Sequence, residues 1–213
     1  MRGRIRGLLV AMALLGCTTL CRAALDFSGE PASDDARYAA NWVLTGADHQ
    51  GRPFAIVDKR DARLYVFGAD GRLIGATAAL LGLTPGDLAD PDIARRAPAS
   101  LTISERTTPA GRFASQPGHN DKGEDIVWVD YDASLAIHRL RPAAAHERRA
   151  ERLASPGSDD NRISFGCIVV PVAFYDAVLA PGLGRQRGVV YVLPEARPVQ
   201  AMFGATQVSI QTR

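Results

Sequence analysis

The sequence predicts a mostly β fold with a few short helices, formed by one domain. Short runs rich in β-branched and aromatic residues recur along the chain, and polar turns that contain glycine, aspartate or proline separate them. No internal repeat or low-complexity tract interrupts this pattern. Once an export signal is removed, about 190 residues are left, which is enough for one core without disulfide bonds.

The amino-terminal segment has the features of a signal peptide. Three arginines precede a short apolar stretch at residues 7–16, and small residues around Ala23 offer a cleavage site. We therefore predict a signal peptide at residues 1–24 and a secreted or periplasmic protein. The alternative is a lipoprotein, because Leu14-Leu15-Gly16-Cys17 resembles a lipobox, and a lipid on Cys17 tethers the domain to a membrane.

The charge of the chain excludes one class of partner. Lysine and arginine together number 25 against 23 aspartates and glutamates, which gives a net charge of +2, and the basic residues are scattered. A nucleic-acid-binding surface needs clustered basic residues, so we predict no nucleic-acid partner. No group of histidine, cysteine and aspartate has the spacing of a zinc site, so we predict no catalytic metal.

In the first half of the chain, one helix precedes a predicted meander of strands. Ser33 can cap a helix that continues to about Leu44. The β-rich runs predict three strands, at residues 54–58, 63–67 and 73–81. Proline and aspartate then predict an irregular excursion at residues 82–100.

The second half of the chain also alternates short β-rich runs with polar turns. Strands are predicted at residues 126–131, 135–140, 168–170 and 188–193, and helices at residues 142–154 and 172–179. The segment Gln116–Asp121 contains a Pro-Gly pair and predicts a turn around His119.

Cys167 is the cysteine that is left after cleavage of the signal peptide, because Cys17 and Cys21 both precede the predicted cleavage site. In an oxidising compartment, an unpaired thiol next to glycine indicates a nucleophile, whereas a small buried core residue is the alternative. His138, on a predicted strand upstream, is the candidate general base. His119 is an alternative base.

Five segments occur in the order that is typical of one enzyme family. They are a strand-turn-strand opening from Ala55 to Gly71, then Thr108–Phe113, Ile137-His138, Ser164-Phe165-Gly166-Cys167-Ile168 and Val189–Val192. On these segments the chain resembles the L,D-transpeptidase catalytic domain of the YkuD type, over residues 53–194. The resemblance implies a β-sandwich catalytic domain that acts on peptidoglycan stem peptides, with cysteine as the acyl carrier and no metal or organic cofactor.

The resemblance also implies a division of the chain. Residues 25–52 form an amino-terminal helical extension, residues 53–194 the catalytic domain, and residues 195–213 a tail. The catalytic domain contains an inserted segment at residues 142–162, because 29 positions separate the predicted base from the nucleophile, which is longer than is usual in the family. We expect this segment to cover the cleft, since it joins the two catalytic strands.

The predicted mechanism is acyl transfer through a thioester. Cys167 attacks a peptide carbonyl, His138 takes the thiol proton, and backbone N–H groups around Gly166 stabilise the oxyanion. Ser164 either orients the histidine or hydrogen-bonds the loop. Pairing with the imidazole is expected to make the thiol mostly thiolate, a gain of about 30-fold over a free cysteine at pH 7.

Three further residues flank the predicted site. Arg139 and Arg162 are candidates to bind a substrate carboxylate, and Phe165 is the third candidate substrate-binding residue. Phe165 stands where the family usually has histidine, and Val169 where it has a polar residue. Two alternatives therefore stay open: a catalytically degenerate domain that binds peptidoglycan or a partner, and a carboxypeptidase or amidase that passes the acyl group to water rather than to an amine of a peptide or protein.

Overall fold

The computed structural model describes residues 27–203. The predicted signal peptide, the alternative lipid site at Cys17 and residues 204–213 lie outside the described residues. Within them the strands are β1 (Phe54–Asp58), β2 (Arg63–Phe67), β3 (Leu73–Ala78), β4 (Leu81–Gly82), β5 (Gly111–His119), β6 (Asp125–Asp130), β7 (Leu135–Arg139), β8 (Arg162–Ser164), β9 (Ile168–Val170) and β10 (Gly188–Val192).

The helices of the described residues are short. They are α1 (Asp34–Thr45), α2 (Arg149–Ala154), α3 (Val172–Phe174), which continues into a π-helical turn (Tyr175–Leu179), and α4 (Gln200–Phe203). Single 3-10 turns are formed by Ile93–Arg95, Pro98–Ser100, Ile103–Glu105 and Ala145–Glu147. Among residues 27–203, no helix has the length and apolar character needed to cross a membrane. The predicted mostly β fold with short helices is confirmed.

Eight strands form one mixed sheet, in the order β3-β2-β1-β10-β5-β6-β7-β9, and β4 pairs separately with β8. Neighbours in the large sheet are antiparallel except for two parallel pairs, β1 with β10 and β7 with β9. Parallel strands need a long crossover connection. For β7 and β9 that crossover is the segment 140–167, which contains α2.

Strands β1, β2 and β10 bury both of their faces, because their side chains alternate between two cores. Val57, Leu64 and Val190 lie in an inner core, where they meet Val127 and Ile137 from the other half of the sheet. The intervening residues form an outer core with α1, and they include Phe54, Ile56, Tyr65 and Tyr191. The sheet therefore folds into a sandwich around the inner core.

Helix α1 begins where the sequence predicts. Ser33 Oγ accepts a hydrogen bond from Ala36 N at 3.0 Å, and its hydroxyl donates to the Asp58 carboxylate at the end of β1. The first bond caps the helix, and the second fixes its start to the sheet. The buried face of α1 consists of Ala36, Ala39, Ala40 and Val43.

The turn predicted at Gln116–Asp121 is wrong, because β5 continues through Pro117 to His119. The strand changes partner part-way along its length: residues up to Ser115 pair with β10, and the residues after it pair with β6. Pro117 therefore lies where the strand has a neighbour on one side, and proline is tolerated at such positions. The strand predicted at residues 73–81 is divided between β3 and β4.

The helix predicted at residues 142–154 is interrupted. Its first part is a 3-10 turn that ends at Arg148, whose φ of 48° lies in the left-handed region. That conformation cannot continue a right-handed helix. Helix α2 follows, and its Leu153 packs against Leu80 and Val169. The crossover is therefore anchored on the outer side of β9.

Four charged side chains form a buried network beside the sheet. Lys59 Nζ, on a fully buried side chain, lies 2.9 Å from Asp87 Oδ1 and 3.3 Å from Glu195 Oε1. Lys59 also donates to the Thr108 carbonyl at 2.9 Å, and Arg162 donates to Glu195 and to the Lys59 carbonyl. Two cations thus face two carboxylates, which is the arrangement that makes buried charges tolerable.

We expect Lys59→Met to lower the free energy of unfolding by about 3 kcal/mol, because it leaves Asp87 and Glu195 buried with one cation fewer. Urea denaturation followed by circular dichroism measures the change. Arg95→Ala is the control, since the Arg95 side chain is 85% exposed and pairs with the exposed Asp92. We expect it to change stability by less than about 0.5 kcal/mol. Equal midpoints for the two variants contradict a stabilising network.

Candidate active site

The parallel pairing of β7 with β9 places the two predicted catalytic residues on one face of the sheet. The register aligns Ile137 with Ile168 and His138 with Val169. Ile137 and Ile168 face the inner core, so His138 and Cys167, each one residue away, face the opposite side. The outer face therefore carries both the thiol and the imidazole.

The backbone of β7 holds the imidazole of His138. Its Nδ1 lies 2.8 Å from the Arg139 carbonyl oxygen. A ring nitrogen must carry a proton to bond a carbonyl, so this contact assigns the proton to Nδ1 and leaves a lone pair on Nε2. Burial lowers the pKa of His138 from 6.5 to about 4. At pH 7 the imidazole is therefore neutral and able to accept a proton.

The thiol of Cys167 is protonated at pH 7. Burial raises the pKa of Cys167, and the Ala136 backbone and the charge of Arg141 only partly oppose that rise. The residue is partly exposed, and its Sγ donates to the Ser134 carbonyl oxygen at 3.5 Å. Burial therefore opposes the mostly ionised thiol that the sequence predicts.

No hydrogen bond joins Cys167 Sγ to His138 in the part of the chain that the structure describes. The Cys167 thiol instead donates its hydrogen bond to the Ser134 carbonyl oxygen. Both groups are neutral.

Ser164 and Gly166 shape the loop that presents Cys167. Ser164 Oγ accepts a hydrogen bond from Gly166 N at 3.0 Å and donates to the Cys167 carbonyl at 2.6 Å. Of the two roles predicted for Ser164, the structure thus shows the loop bond. Gly166 has a φ of 138°, and a Cβ there would lie 3.0 Å from the Thr107 carbonyl oxygen. The loop therefore requires glycine at this position.

Thr108 is a structural residue of the site that the sequence did not assign. Its fully buried hydroxyl accepts from Gly82 N at 2.8 Å and donates to the Gly166 carbonyl at 2.7 Å. It thus joins β4 to the cysteine loop. The signal was present in the sequence, because Thr108 opens one of the five segments that carry the family resemblance, but no residue pattern indicated what its side chain binds.

Of the backbone N–H groups predicted to stabilise the oxyanion, one remains a candidate in the structure. The Gly166 N–H is already bonded to Ser164 Oγ, so it does not point to a substrate. The Cys167 N–H donates to no protein acceptor among the described residues. Because an oxyanion site needs an N–H group without another partner next to the nucleophile, the Cys167 amide is the candidate donor.

The two arginines predicted to bind substrate have other partners. Arg139 lies on the opposite face from His138, where its guanidinium stacks 4.4 Å from the Tyr175 ring centre and donates to Asp176 at 2.9 Å. Arg162 belongs to the buried network with Glu195. The structure therefore gives both guanidinium groups protein carboxylates instead of an open face near the thiol.

Phe165, the third predicted substrate-binding residue, is 37% exposed and precedes the glycine of the cysteine loop. The Arg106 guanidinium lies 4.6 Å from its ring centre. A second aromatic surface lies on the same sheet face as the thiol, because Trp128 pairs with Ala136 and stacks on Tyr131 at 4.3 Å.

The other candidate base lies elsewhere. His119, at the end of β5, has a 66% exposed side chain and pairs with Asp125 at 3.0 Å. The structure brings it into no contact with the cysteine loop. Within residues 27–203, no three histidine, cysteine, aspartate or glutamate side chains are grouped so that they can hold a metal ion.

Comparisons with known proteins bear on the fold. No family model matches the sequence, and no curated protein matches it. Among solved structures, the chain is similar to catalytic domains of L,D-transpeptidases. The Enterococcus faecium L,D-transpeptidase domain shares 18% identity at a TM-score of 0.39, and the similarity covers 67% of this chain and 98% of that domain.

Two longer proteins are matched over part of their length. An L,D-transpeptidase from Mycobacterium smegmatis shares 16% identity at a TM-score of 0.38, over 66% of this chain and 58% of its own. The helical cell shape determining protein Pgp2 from Campylobacter jejuni shares 15% identity at a TM-score of 0.45, over 76% of this chain and 58% of its own. The chain thus spans about three-fifths of these two proteins.

We expect Gly166→Ala to destabilise the fold by about 1 to 3 kcal/mol and to slow alkylation of Cys167, because alanine strains the backbone at this φ and meets Thr107. Urea denaturation and mass spectrometry after timed exposure to iodoacetamide measure the two effects. Gly157→Ala is the matched control, since no atom lies within 4 Å of the Cβ it adds. Equal alkylation rates in the two variants contradict a conformational requirement for glycine.

We expect the burial of His138 to make stability fall as the pH is lowered from 6.5 towards 4. The unfolded chain takes up a proton at this residue near pH 6.5, whereas the folded protein does so only near pH 4, so acid favours unfolding in this window. Denaturation at pH 7 and pH 4.5 measures the loss, which should be about 2 kcal/mol smaller in His138→Gln. His119→Gln, at an exposed position, should keep the full loss; equal losses in both variants contradict the buried neutral imidazole.

Proposed function

We propose that this protein is an exported cysteine acyl-transferase of the L,D-transpeptidase type, which acts on peptidoglycan stem peptides. Cys167 is the nucleophile and His138 the general base. The coarser statement, a structural relationship to L,D-transpeptidase domains, rests on the fold comparison. The finer proposal rests on the residues of the site and on the order of the five sequence segments.

One observation carries the proposal. The Nδ1 bond to the Arg139 carbonyl fixes the tautomer of His138 and leaves the free lone pair of a neutral imidazole on Nε2. This is the protonation state that a general base needs. His138 occupies the same sheet face as the chain's one cysteine between residues 27 and 203.

The reaction begins with attack of the Cys167 sulfur on a peptide carbonyl. As the S–C bond forms, the thiol proton passes to His138 Nε2, and the Cys167 N–H donates to the oxyanion. The C–N bond then breaks, and His138 returns the proton to the leaving amine. The product is a thioester on Cys167 and a free amine, so atoms and charges balance without a cofactor.

The thioester is resolved by a second attack. An amine of a peptide or protein gives a new amide, whereas water gives a carboxylic acid, and His138 accepts the proton of either nucleophile. We place transfer to an amine first, because that is the reaction that the family resemblance implies. We also place the protein outside the cytoplasm, where peptidoglycan lies, on the basis of the predicted signal peptide.

A second candidate function is a domain that binds peptidoglycan peptides without turnover. The specific observation in its favour is the resting state of the thiol, which is protonated and donates to Ser134 rather than to the imidazole. Phe165, in place of the family's usual histidine, agrees with it. In this case the same face binds peptide, but no covalent intermediate forms.

Intact-protein mass spectrometry separates the two functions. The purified protein is mixed with the stem tetrapeptide L-Ala-γ-D-Glu-meso-diaminopimelyl-D-Ala at pH 7. We expect an adduct whose mass equals the peptide minus its leaving residue, located on Cys167 and absent from Cys167→Ser. We also expect His138→Gln to form it at least about 100-fold more slowly, which is the usual contribution of a general base.

Addition of an amine acceptor to the acylated protein then distinguishes transfer from hydrolysis. A new amide product identifies a transferase, and release of the free acid alone identifies a peptidase. Peptide binding without any adduct, in protein whose circular dichroism shows a folded state, contradicts the enzymatic proposal and supports the binding domain.

A further inference from the structure

A cavity of about 350 Å³ lies where the amino-terminal extension, the turn from β1 to β2, the end of β3 and the loop before β8 meet. Its apolar lining comes from Pro31, Ala78 and Pro156, and its charged lining from Asp61 and Arg63. Sites for small molecules usually have volumes of about 300 to 1,000 Å³. The cavity therefore has room for a unit of the size of one sugar or one amino acid.

Two buried polar atoms of residues that line this cavity lack a hydrogen-bond partner. Asn161, which is 1% exposed, donates from Nδ2 to the Ala79 carbonyl at 3.2 Å, whereas its Oδ1 accepts from no group among the described residues. Arg63 donates from Nη2 to Glu30 at 2.9 Å, whereas its Nε donates to none of them. Buried polar groups in native proteins nearly always have a partner. An unpaired acceptor and an unpaired donor thus belong to one cavity, and a ligand that carries both kinds of group can pair with them.

Two further polar side chains of the lining have no partner in the part of the chain that the structure describes. Asp61 forms a hydrogen bond through its main-chain N–H, and Ser158 through its main-chain carbonyl, but neither side chain forms a hydrogen bond or an ion pair. The cavity thus offers oxygen acceptors on Asp61, Ser158 and Asn161, and an N–H donor on Arg63. Its ligand is therefore expected to carry several donors and at least one acceptor.

The charges of the cavity favour a neutral ligand. The Arg63 guanidinium is already balanced by Glu30, so an anion meets the Asp61 carboxylate without a free cation to bind it. A cation is attracted by Asp61 but supplies no acceptor to Arg63 Nε. Hydroxyl and amide groups supply both donors and acceptors. Since the C–H groups of a sugar ring can also pack against the two prolines, an amide-bearing sugar matches the lining in both its polar and its apolar parts.

The position of the cavity suits a ligand that is joined to a peptide at the thiol. Asn161 is tied to β4, because its carbonyl accepts from Leu81 N at 2.9 Å, and it lies six positions before Cys167, so the two Cα atoms are at most about 20 Å apart. Arg63 lies on the outer face of β2, since the adjacent Leu64 faces the inner core. The three residues of a stem tetrapeptide that stay on the thioester span about 10 Å when extended. A sugar at their amino end is therefore within reach of the cavity.

We propose that this cavity binds one N-acetylated amino sugar of the glycan strand to which the donor stem peptide is attached. Asp61 and Asn161 Oδ1 accept hydrogen bonds from the hydroxyl and acetamido N–H groups of the sugar, and Arg63 Nε donates to the acetamido carbonyl. The inference rests on the proposed function, because it takes the peptide on that sugar to be the donor. It predicts that the protein selects stem peptides that are still joined to glycan over free peptides.

The test measures binding without turnover. Isothermal titration calorimetry with the full Cys167→Ser protein compares the stem tetrapeptide with the same peptide attached to its disaccharide of N-acetylated sugars. We expect the disaccharide peptide to bind at least about 10-fold more tightly, which corresponds to two or three additional hydrogen bonds. In Asp61→Ala/Arg63→Lys we expect the two ligands to bind equally, because lysine keeps a cation for Glu30 but has no N–H at the position of Nε.

The matched control is Asp132→Ala/Arg72→Lys, which makes the same two changes at exposed positions outside the cavity. We expect it to keep the preference for the disaccharide peptide. Amide chemical shifts in a ¹H–¹⁵N spectrum locate the site: N,N′-diacetylchitobiose should move the signals of Asp61, Arg63 and Asn161. The inference is overturned if both ligands bind equally to the Cys167→Ser protein, if the cavity variant keeps the preference, or if the free tetrapeptide moves these signals and the sugar does not.

The failure of this inference and that of the proposed function are distinguishable. An acyl-enzyme that forms on Cys167 from a stem peptide, while the sugar adds nothing to binding, removes the sugar site and leaves the acyl-transferase standing. A preference for the disaccharide peptide that depends on Asp61 and Arg63, without any adduct on Cys167, supports the sugar site and identifies the protein as a glycan-binding domain without turnover.

Discussion

The parallel register between β7 and β9 is the constraint on which the rest of the site depends. It brings residues that are 29 positions apart in the chain to one face of the sheet, because Ile137 and Ile168 both turn inward. The crossover that parallel strands require then has to pass over this face, and Leu153 anchors it there against Val169. Burial of His138 and the presentation of Cys167 both follow from this one pairing.

The site is organised as a neutral pair. Burial disfavours charge on both groups, so the thiol keeps its proton and the imidazole lacks one at pH 7. Such a pair avoids the cost of two buried charges in the resting state. Ser164, Gly166 and Thr108 fix the loop through backbone bonds, so the cysteine main chain is already ordered before substrate binds.

Much of the fold could be predicted from the sequence, because local patterns determine it. The Ser33 cap and most strands lie where the residue pattern places them. The residue pattern around Pro117 predicts a turn. The structure has a strand there, because β5 changes partner at this point and such a tertiary feature leaves no local signal. The roles of Cys167 and His138 stay predictions, whereas the partners of Arg139 and Arg162 and the bond of Thr108 depend on distant segments that no local pattern reveals.

The most direct measurement of the central claim is the rate at which iodoacetamide alkylates Cys167 at pH 6.5, compared between the parent protein and His138→Gln by mass spectrometry of the cysteine peptide. If the imidazole accepts the thiol proton during attack, the rate falls at least about 10-fold in the variant, while circular dichroism shows the same fold. Equal rates, or a thiol that stays unmodified in the folded parent protein, would show that sulfur and imidazole do not act together, and the catalytic account would fail.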